Sequence, residues 1–222
     1  IEVDQSDAGA LRQWQQNLRL FGASTALPDW EAPRYASWTL IERELLNSGS
    51  PGAPMYRLSL RPKEGAPEWK AGDVAEVYPD TAENAFADSH HLPHRDYSVA
   101  TIPGDGALDI VVRVFRDADG RVGLGSGWLC ERARIGDTIA LRTRSNPRFH
   151  TPDAAQPIIL IGNGTGISAL RAHLKARIAG TRNWLIYGAK SYEDLYLFLM
   201  QAAVIIPLLV AASVIDFMRK QF

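Results

Sequence analysis

The feature that most constrains the fold is an apolar run that enters a glycine-rich turn. Residues 158–161 are all aliphatic, a pattern typical of a strand buried on both faces of a parallel sheet. The turn that follows, Gly-Asn-Gly-Thr-Gly at 162–166, precedes a helical pattern that ends at Gly180. The apolar residues on one face of this helix are Leu170, Leu174 and Ile178. With a further strand at 184–187, the segment predicts one βαβ unit with a glycine-rich first turn.

The preceding segment, from about residue 35 to 150, has the pattern of short strands. Tyr56, Leu58 and Leu60 alternate with polar residues, which indicates a strand with one buried face. Further candidate strands lie at 74–78, 108–114 and 138–142. Short strands separated by Gly, Pro and Asp turns predict an antiparallel barrel or sandwich.

These patterns divide the chain into three predicted parts. Residues 1–33 form a helix and a linker, because apolar residues recur there at helical spacing before Gly22. Residues 34–150 form the antiparallel β-barrel, and residues 155–222 form an α/β part with a parallel sheet.

Charge and cysteine content exclude several classes of function. The chain has 24 basic and 25 acidic residues, so it lacks the cationic excess of a generic nucleic-acid binder. A single cysteine, Cys130, excludes a disulfide framework, and we expect it to be a small buried side chain. His90, His91 and His94 lie close together, but no carboxylate or cysteine pattern completes a zinc or copper site. We therefore predict no metal site.

Residues 195–215 contain no charged residue, and three interpretations of this segment stay open. As a helix the segment would be roughly 30 Å long, the thickness of a bilayer core, and would anchor a cytoplasmic protein to the membrane. Alternatively, residues 195–203 form a buried helix and residues 204–214 form a central parallel strand, with a break at Pro207. The third possibility is an aberrant or recombined C-terminus.

Arg95, Tyr97 and Ser98 form the first candidate binding motif. One strand with these residues offers a cation and a hydroxyl for a pyrophosphate and an aromatic face for a flavin ring. The alternative is an exposed strand with a surface arginine and a packed tyrosine.

Two glycine-rich turns provide the other candidate motifs. Gly123, Gly125 and Ser126 precede or begin a helix, where backbone N–H groups can approach a phosphate; the alternative is that Ser126 caps the helix. The turn at 162–166 departs from the strict dinucleotide fingerprint, because Ile167 stands at the place of the third glycine.

Taken in this order, the three motifs resemble the ferredoxin–NADP reductase superfamily, and within it most closely the diflavin reductases. The resemblance covers about residues 35 to 190. It implies a β-barrel that binds FAD, followed by an α/β domain that binds NADPH, with NADH as an alternative donor. The implied function is electron transfer from NAD(P)H through FAD to a one-electron acceptor, which is FMN, haem or an iron–sulfur protein.

The resemblance also assigns a role to each candidate residue. It implies that Arg95 and Ser98 contact the flavin pyrophosphate, that Tyr97 stacks on the isoalloxazine, and that Ser98 is the catalytic residue nearest the flavin N5 atom. The glycine–serine turn would hold the diphosphate through Gly123, Gly125 and Ser126. The residues that would approach the nicotinamide cofactor are Gly162, Gly164, Thr165 and Gly166.

Two departures from the family define the alternatives. Members continue beyond the strand at 184–187 with a serine–arginine pair for the 2′-phosphate and a C-terminal aromatic residue over the flavin, and neither is recognisable here. The nicotinamide-binding part is therefore expected to be incomplete, and the alternative function is a non-catalytic or membrane-anchored flavin-binding fragment. Residues 1–33 resemble the end of an upstream flavodoxin-like domain, which would bind FMN or be replaced by a separate redox partner.

Overall fold

The computed structural model describes residues 35–65, 68–79, 94–153 and 156–195. The helix predicted within 1–33, the histidines at positions 90 and 91, and the apolar segment beyond Leu195 lie outside the described residues. No helix in the described ranges is long and apolar enough to cross a membrane.

Six antiparallel strands form the larger sheet. Their order in the sheet is β4-β3-β6-β1-β2-β5. The strands are β1 Ala36–Leu45, β2 Met55–Pro62, β3 Val74–Tyr78, β4 Arg95–Ser98, β5 Leu108–Arg113 and β6 Thr138–Arg144. The four candidate strands and the predicted strand with Arg95, Tyr97 and Ser98 are all present, and β1 is added to them.

The larger sheet is stabilised by apolar side chains at alternate positions. Trp38 and Leu40 on β1, Leu58 and Leu60 on β2, and Ile139 and Leu141 on β6 are almost completely buried in one cluster. This is the period of two that a strand with one apolar face requires. Burial of each such leucine or isoleucine contributes about 1.5–3 kcal/mol relative to an exposed position.

The two edge strands of the larger sheet approach each other. An isolated antiparallel bridge joins Val99, directly after β4, to Ile110 on β5, and the Ala100 amide donates to the carbonyl of Asp109 at 2.8 Å. The sheet is therefore barrel-like, although its strand ladder is not closed. The predicted antiparallel barrel is confirmed in this form.

A parallel pair of strands forms the smaller sheet. β7 (Ile158–Asn163) leads through a 3₁₀ turn (Gly164–Gly166) into α2 (Ile167–Lys175), and β8 (Asn183–Gly188) pairs with β7. An earlier one-turn helix, α1 (Leu124–Gly127), lies in the barrel part. The predicted βαβ unit is confirmed.

Two details of the βαβ prediction were wrong. The helix ends at Lys175 rather than near Gly180, and Ile178 is 61% exposed beyond it. The strand β7 is buried on one face only within the described part, since Ile159 and Ile161 are 66% and 70% exposed. The reason is that α2 covers one side of the two-stranded sheet.

A second apolar cluster joins the two sheets. Ile167 and Leu170 of α2 pack with Leu46, Met55 and Val111 from the barrel part. β5 is therefore buried on both faces, with Ile110 toward the barrel core and Val111 toward α2. This packing places the N-terminus of α2 beside the end of β4.

Candidate functional site

The first motif lies on β4, at the edge of the larger sheet. Because side chains alternate along a strand, Arg95 and Tyr97 lie on one face. Arg95 and Ser98 are exposed, whereas Tyr97 is half-buried against the barrel core. The Arg95 guanidinium donates through Nη1 to the carbonyl of His94 at 3.0 Å.

The second motif packs directly on the first through Gly125. A Cβ atom at Gly125 would lie 2.6 Å from Cγ of Arg95 and 3.2 Å from the Tyr97 hydroxyl oxygen. Glycine is thus the residue that permits this approach, since any side chain would displace one of its neighbours. Two motifs that are almost 30 positions apart form one surface.

Ser126 lies inside the first turn of α1 and not at its cap. Gly123 is the N-cap residue, and the buried Ser126 hydroxyl accepts a hydrogen bond from the Phe115 amide at 3.0 Å. The alternative interpretation of Ser126 as a helix cap is therefore wrong. A serine hydroxyl keeps its own proton for donation when it accepts such a bond.

Burial keeps the Tyr97 phenol and the Cys130 thiol protonated. It raises the pKa of the Tyr97 phenol well above its usual value, and the nearby Cys130 thiol acts in the same direction. Burial also raises the pKa of Cys130 to about 12. Cys130 is 3% exposed, which confirms the expected small buried side chain.

The third motif forms the turn between β7 and α2. Gly164 has a φ of +49°, in the left-handed region that favours glycine. A Cβ atom at Gly162 would lie 2.7 Å from Cδ1 of Leu170, so this glycine allows the strand and helix to pack closely. A Cβ atom at Gly164 or Gly166 would meet no atom within 4 Å, and this side of the turn is open in the described structure.

Tyr187 stabilises the glycine turn and was not predicted from the sequence. Its hydroxyl donates to the carbonyl of Gly164 at 2.9 Å. Burial raises the pKa of Tyr187 to about 12, so the hydroxyl stays a donor at ordinary pH. The position of Tyr187 at the end of a parallel strand next to the turn was the available signal.

Ser168 connects the third motif to the first. Its hydroxyl donates to the backbone carbonyl of Ser98 at 2.7 Å, and its side chain is almost completely buried. The structure therefore places Ser98 next to the turn that contains Thr165, which is itself half-buried. The second and third motifs thus both approach β4, α1 at Arg95 and Tyr97 and α2 at Ser98.

His94 belongs to a polar cluster with Glu76 and Asp96. These three side chains lie near enough to one another to hold a metal ion. Burial would raise the pKa of Glu76, but hydrogen bonds from Arg142 and Arg144 hold it below its usual value. Two arginines thus already neutralise the buried carboxylate of this cluster.

Comparison with known proteins shows partial sequence similarity to sulfite reductase flavoproteins. The chain is 32% identical over 137 residues to the sulfite reductase [NADPH] flavoprotein alpha-component of Mannheimia succiniciproducens, which covers 57% of this chain and 23% of that protein. The corresponding protein of Neisseria meningitidis serogroup B is 30% identical over 137 residues, which again cover 57% of this chain and 23% of that protein. The aligned region is thus about a quarter of these relatives, and no protein-family model matches the chain.

Solved structures share the fold. The ferredoxin–NADP+ reductase of Plasmodium falciparum matches with a TM-score of 0.62 and 20% identity, covering 76% of this chain and 64% of that one. A cytochrome P450 reductase of Amycolatopsis matches with a TM-score of 0.59 and 25% identity, covering 78% of this chain and 49% of that one. The resemblance predicted from the three motifs is confirmed: the chain is similar in sequence to sulfite reductase flavoproteins and in fold to ferredoxin–NADP+ reductase and cytochrome P450 reductase.

Proposed function

We propose that this chain forms the FAD-binding part and a portion of the nicotinamide-binding part of an NADPH-dependent flavoprotein reductase. The observation that carries the proposal is the contact of Gly125 with Arg95 and Tyr97, which joins two predicted flavin motifs into one surface. The names of the similar proteins, which are NADPH flavoproteins and reductases, support the same function.

The residues on this surface fit FAD chemically. The exposed Arg95 guanidinium would hold the pyrophosphate through charge-assisted hydrogen bonds. The Tyr97 ring, held by the barrel core, would stack on the isoalloxazine, and Ser126 with Gly123 and Gly125 would line the diphosphate. These glycines leave room for close approach of a ligand to the backbone.

The glycine turn fits a nicotinamide nucleotide. Its backbone between Gly162 and Gly166 is open on one side and is fixed by the hydrogen bond from Tyr187. Bound FAD would supply hydride acceptance and release of single electrons, while the protein positions the two cofactors. Ser98 would be the hydroxyl nearest the reacting atoms, because its carbonyl is joined to Ser168 beside the turn.

The donor and the acceptor belong to the same proposal. We propose NADPH as the donor, with NADH as the alternative because the residues that grip a 2′-phosphate in the family are not recognisable here. The acceptor is a redox partner protein or a fused flavodoxin-like domain that carries FMN, haem or an iron–sulfur centre.

A flavin-binding fragment without nicotinamide activity is the second candidate. The observation that favours it is the small parallel sheet, in which β7 and β8 expose Ile159, Ile161 and Trp184 on one face within the described residues. In this case FAD would bind to the barrel part, and NADPH would not reduce it.

Titration of the purified protein with FAD tests the proposal. We expect Arg95→Ala to weaken FAD binding about 10- to 100-fold, the usual effect of losing a charge-assisted hydrogen bond. The matched control is Arg61→Ala, which removes an exposed arginine from β2, a strand that does not pair with β4. Equal FAD affinity of Arg95→Ala and the wild type would exclude the pyrophosphate role.

A further inference from the structure

One face of α2 contacts the chain between β4 and β5. Ser168, Arg171 and Lys175 have the spacing i, i+3 and i+7, which places them on the same side of the helix. Ser168 donates to the Ser98 carbonyl at 2.7 Å, and Lys175 forms an ion pair with Asp105 at 2.7 Å. Both ends of α2 therefore contact the segment from the end of β4 to Asp105.

The central contact is a partly buried ion pair between Arg171 and Asp109. Their side chains are 18% and 6% exposed, and Arg171 Nη1 lies 3.0 Å from Oδ2 of Asp109. The same guanidinium lies 3.4 Å from the carbonyl oxygen of Ala100. Removal of either partner would leave the other charge uncompensated, so the pair holds α2 on the barrel part.

The barrel part holds the Asp109 carboxylate in place. The Ser59 hydroxyl donates to Oδ1 of Asp109 at 2.7 Å, and Arg57 lies 3.4 Å from Oδ2. The Asp109 amide also donates to the Thr101 hydroxyl at 3.0 Å. Arg171 thus contacts a carboxylate that lies on β5 and is hydrogen-bonded to β2.

We propose that Ser168 and Arg171 are positioning residues that couple the flavin-side strand β4 to the nicotinamide-side turn. The inference rests on the proposed function. Neither residue lies on the surface assigned to FAD, so their removal should leave FAD affinity unchanged and alter the position of the turn relative to Ser98. Transfer between two held cofactors is sensitive to displacements of about 1 Å, which is the reason such coupling matters.

Hydrogen exchange of the full chain with and without FAD tests the coupling without a nicotinamide. In the wild type, FAD binding at β4 should slow exchange of the α2 amides by about tenfold, a coupling of the size usual for residues in one network. Arg171→Met should abolish this slowing while FAD affinity stays within about twofold, and Arg171→Lys should restore part of it.

Arg177→Met is the matched control. It also removes a hydrogen-bonding arginine, but its partners Asn183, Asp153 and Gln156 lie outside the barrel strands. This variant should keep the FAD-dependent slowing. A second measurement is the long-wavelength nicotinamide–flavin charge-transfer band, which should fall in Arg171→Met and Ser168→Ala but not in Arg177→Met.

The possible failures are distinguishable. A wild type that binds no FAD would overturn the proposed function. A wild type that binds FAD but shows equal slowing in Arg171→Met would overturn the coupling alone. Loss of FAD affinity in Arg171→Met would also overturn it, because the residue would then support the flavin surface itself.

Discussion

Gly125 lies where the first turn of α1 meets the side chains of Arg95 and Tyr97. We expect Gly125→Ala to weaken FAD binding about tenfold, because the added methyl group must displace Arg95 Cγ from 2.6 Å. A fluorescence titration with FAD measures the effect.

Gly104→Ala is the control for this substitution. A Cβ atom at Gly104 would meet no atom within 4 Å, so this variant adds the same methyl group without a clash. Unchanged FAD affinity in Gly125→Ala would show that Arg95 and Tyr97 are free to move away and that their joint surface is not required.

We expect His173 to make the stability of the fold depend on pH. It is 3% exposed, contacts the ring of Phe149 edge-on, and forms a hydrogen bond with the Thr151 hydroxyl at 2.7 Å. Burial, together with the nearby His150, lowers the pKa of His173 below its usual value. Below about pH 6.5, His173 binds a proton in the unfolded chain but stays neutral in the folded one. The free energy of unfolding therefore falls as pH falls.

Urea unfolding at about pH 7.5 and about pH 5.5 measures this dependence. We expect His173→Gln to lose part of the decrease that the wild type shows, because glutamine does not titrate. His94→Gln removes a surface histidine and should keep the decrease. An identical decrease in wild type and His173→Gln would contradict the assignment.

We expect Asp73 to give a separate acid transition at lower pH. Burial would raise the pKa of Asp73, but hydrogen bonds from His150 and from the Lys70 and Asn146 amides hold it below its usual value. Its contribution to stability is present above the pKa of an unfolded aspartate, about 3.9. It is lost as pH falls through the lower folded value.

At the scale of elements, the turn before β3 fixes the segment that leaves the barrel. Gly72 has a φ of +99°, and a Cβ atom there would lie 1.9 Å from the carbonyl oxygen of Phe149. We expect Gly72→Ala to reduce the free energy of unfolding by about 3 kcal/mol or more, because both backbone strain and a backbone clash oppose it.

Gly136→Ala is the matched control for Gly72→Ala. Gly136 has nearly the same φ, +98°, but a Cβ atom there would meet no atom within 4 Å. Chemical denaturation of both variants therefore separates strain from clash. Equal losses in the two variants would show that the contact between Gly72 and Phe149 does not hold this segment.

The elements differ in how far the sequence predicts them. The strand β2 was predictable, because Leu58 and Leu60 recur at the period of two that a strand requires. The end of α2 was not, since Ile178 continued the apolar period but is exposed beyond Lys175. An apolar residue at helical spacing does not show by itself where a helix stops.

At the scale of the whole molecule, the two parts share one interface. Arg171 and Asp109 meet across 62 positions, and Ser168 meets Ser98 across 70. No local pattern indicates such pairs, because the packing of α2 on β5 creates them. The motifs themselves can be read in the sequence, since each has glycine, arginine or tyrosine at short spacing, and their binding roles stay predictions.

The most direct test of the proposed reductase function is an anaerobic visible spectrum of the FAD-reconstituted protein before and after addition of NADPH. We predict bound flavin bands that bleach when NADPH is added and return with a one-electron acceptor. Bands that persist would favour the flavin-binding fragment. Absence of bound flavin after reconstitution would contradict the assignment of β4 and α1 as an FAD site.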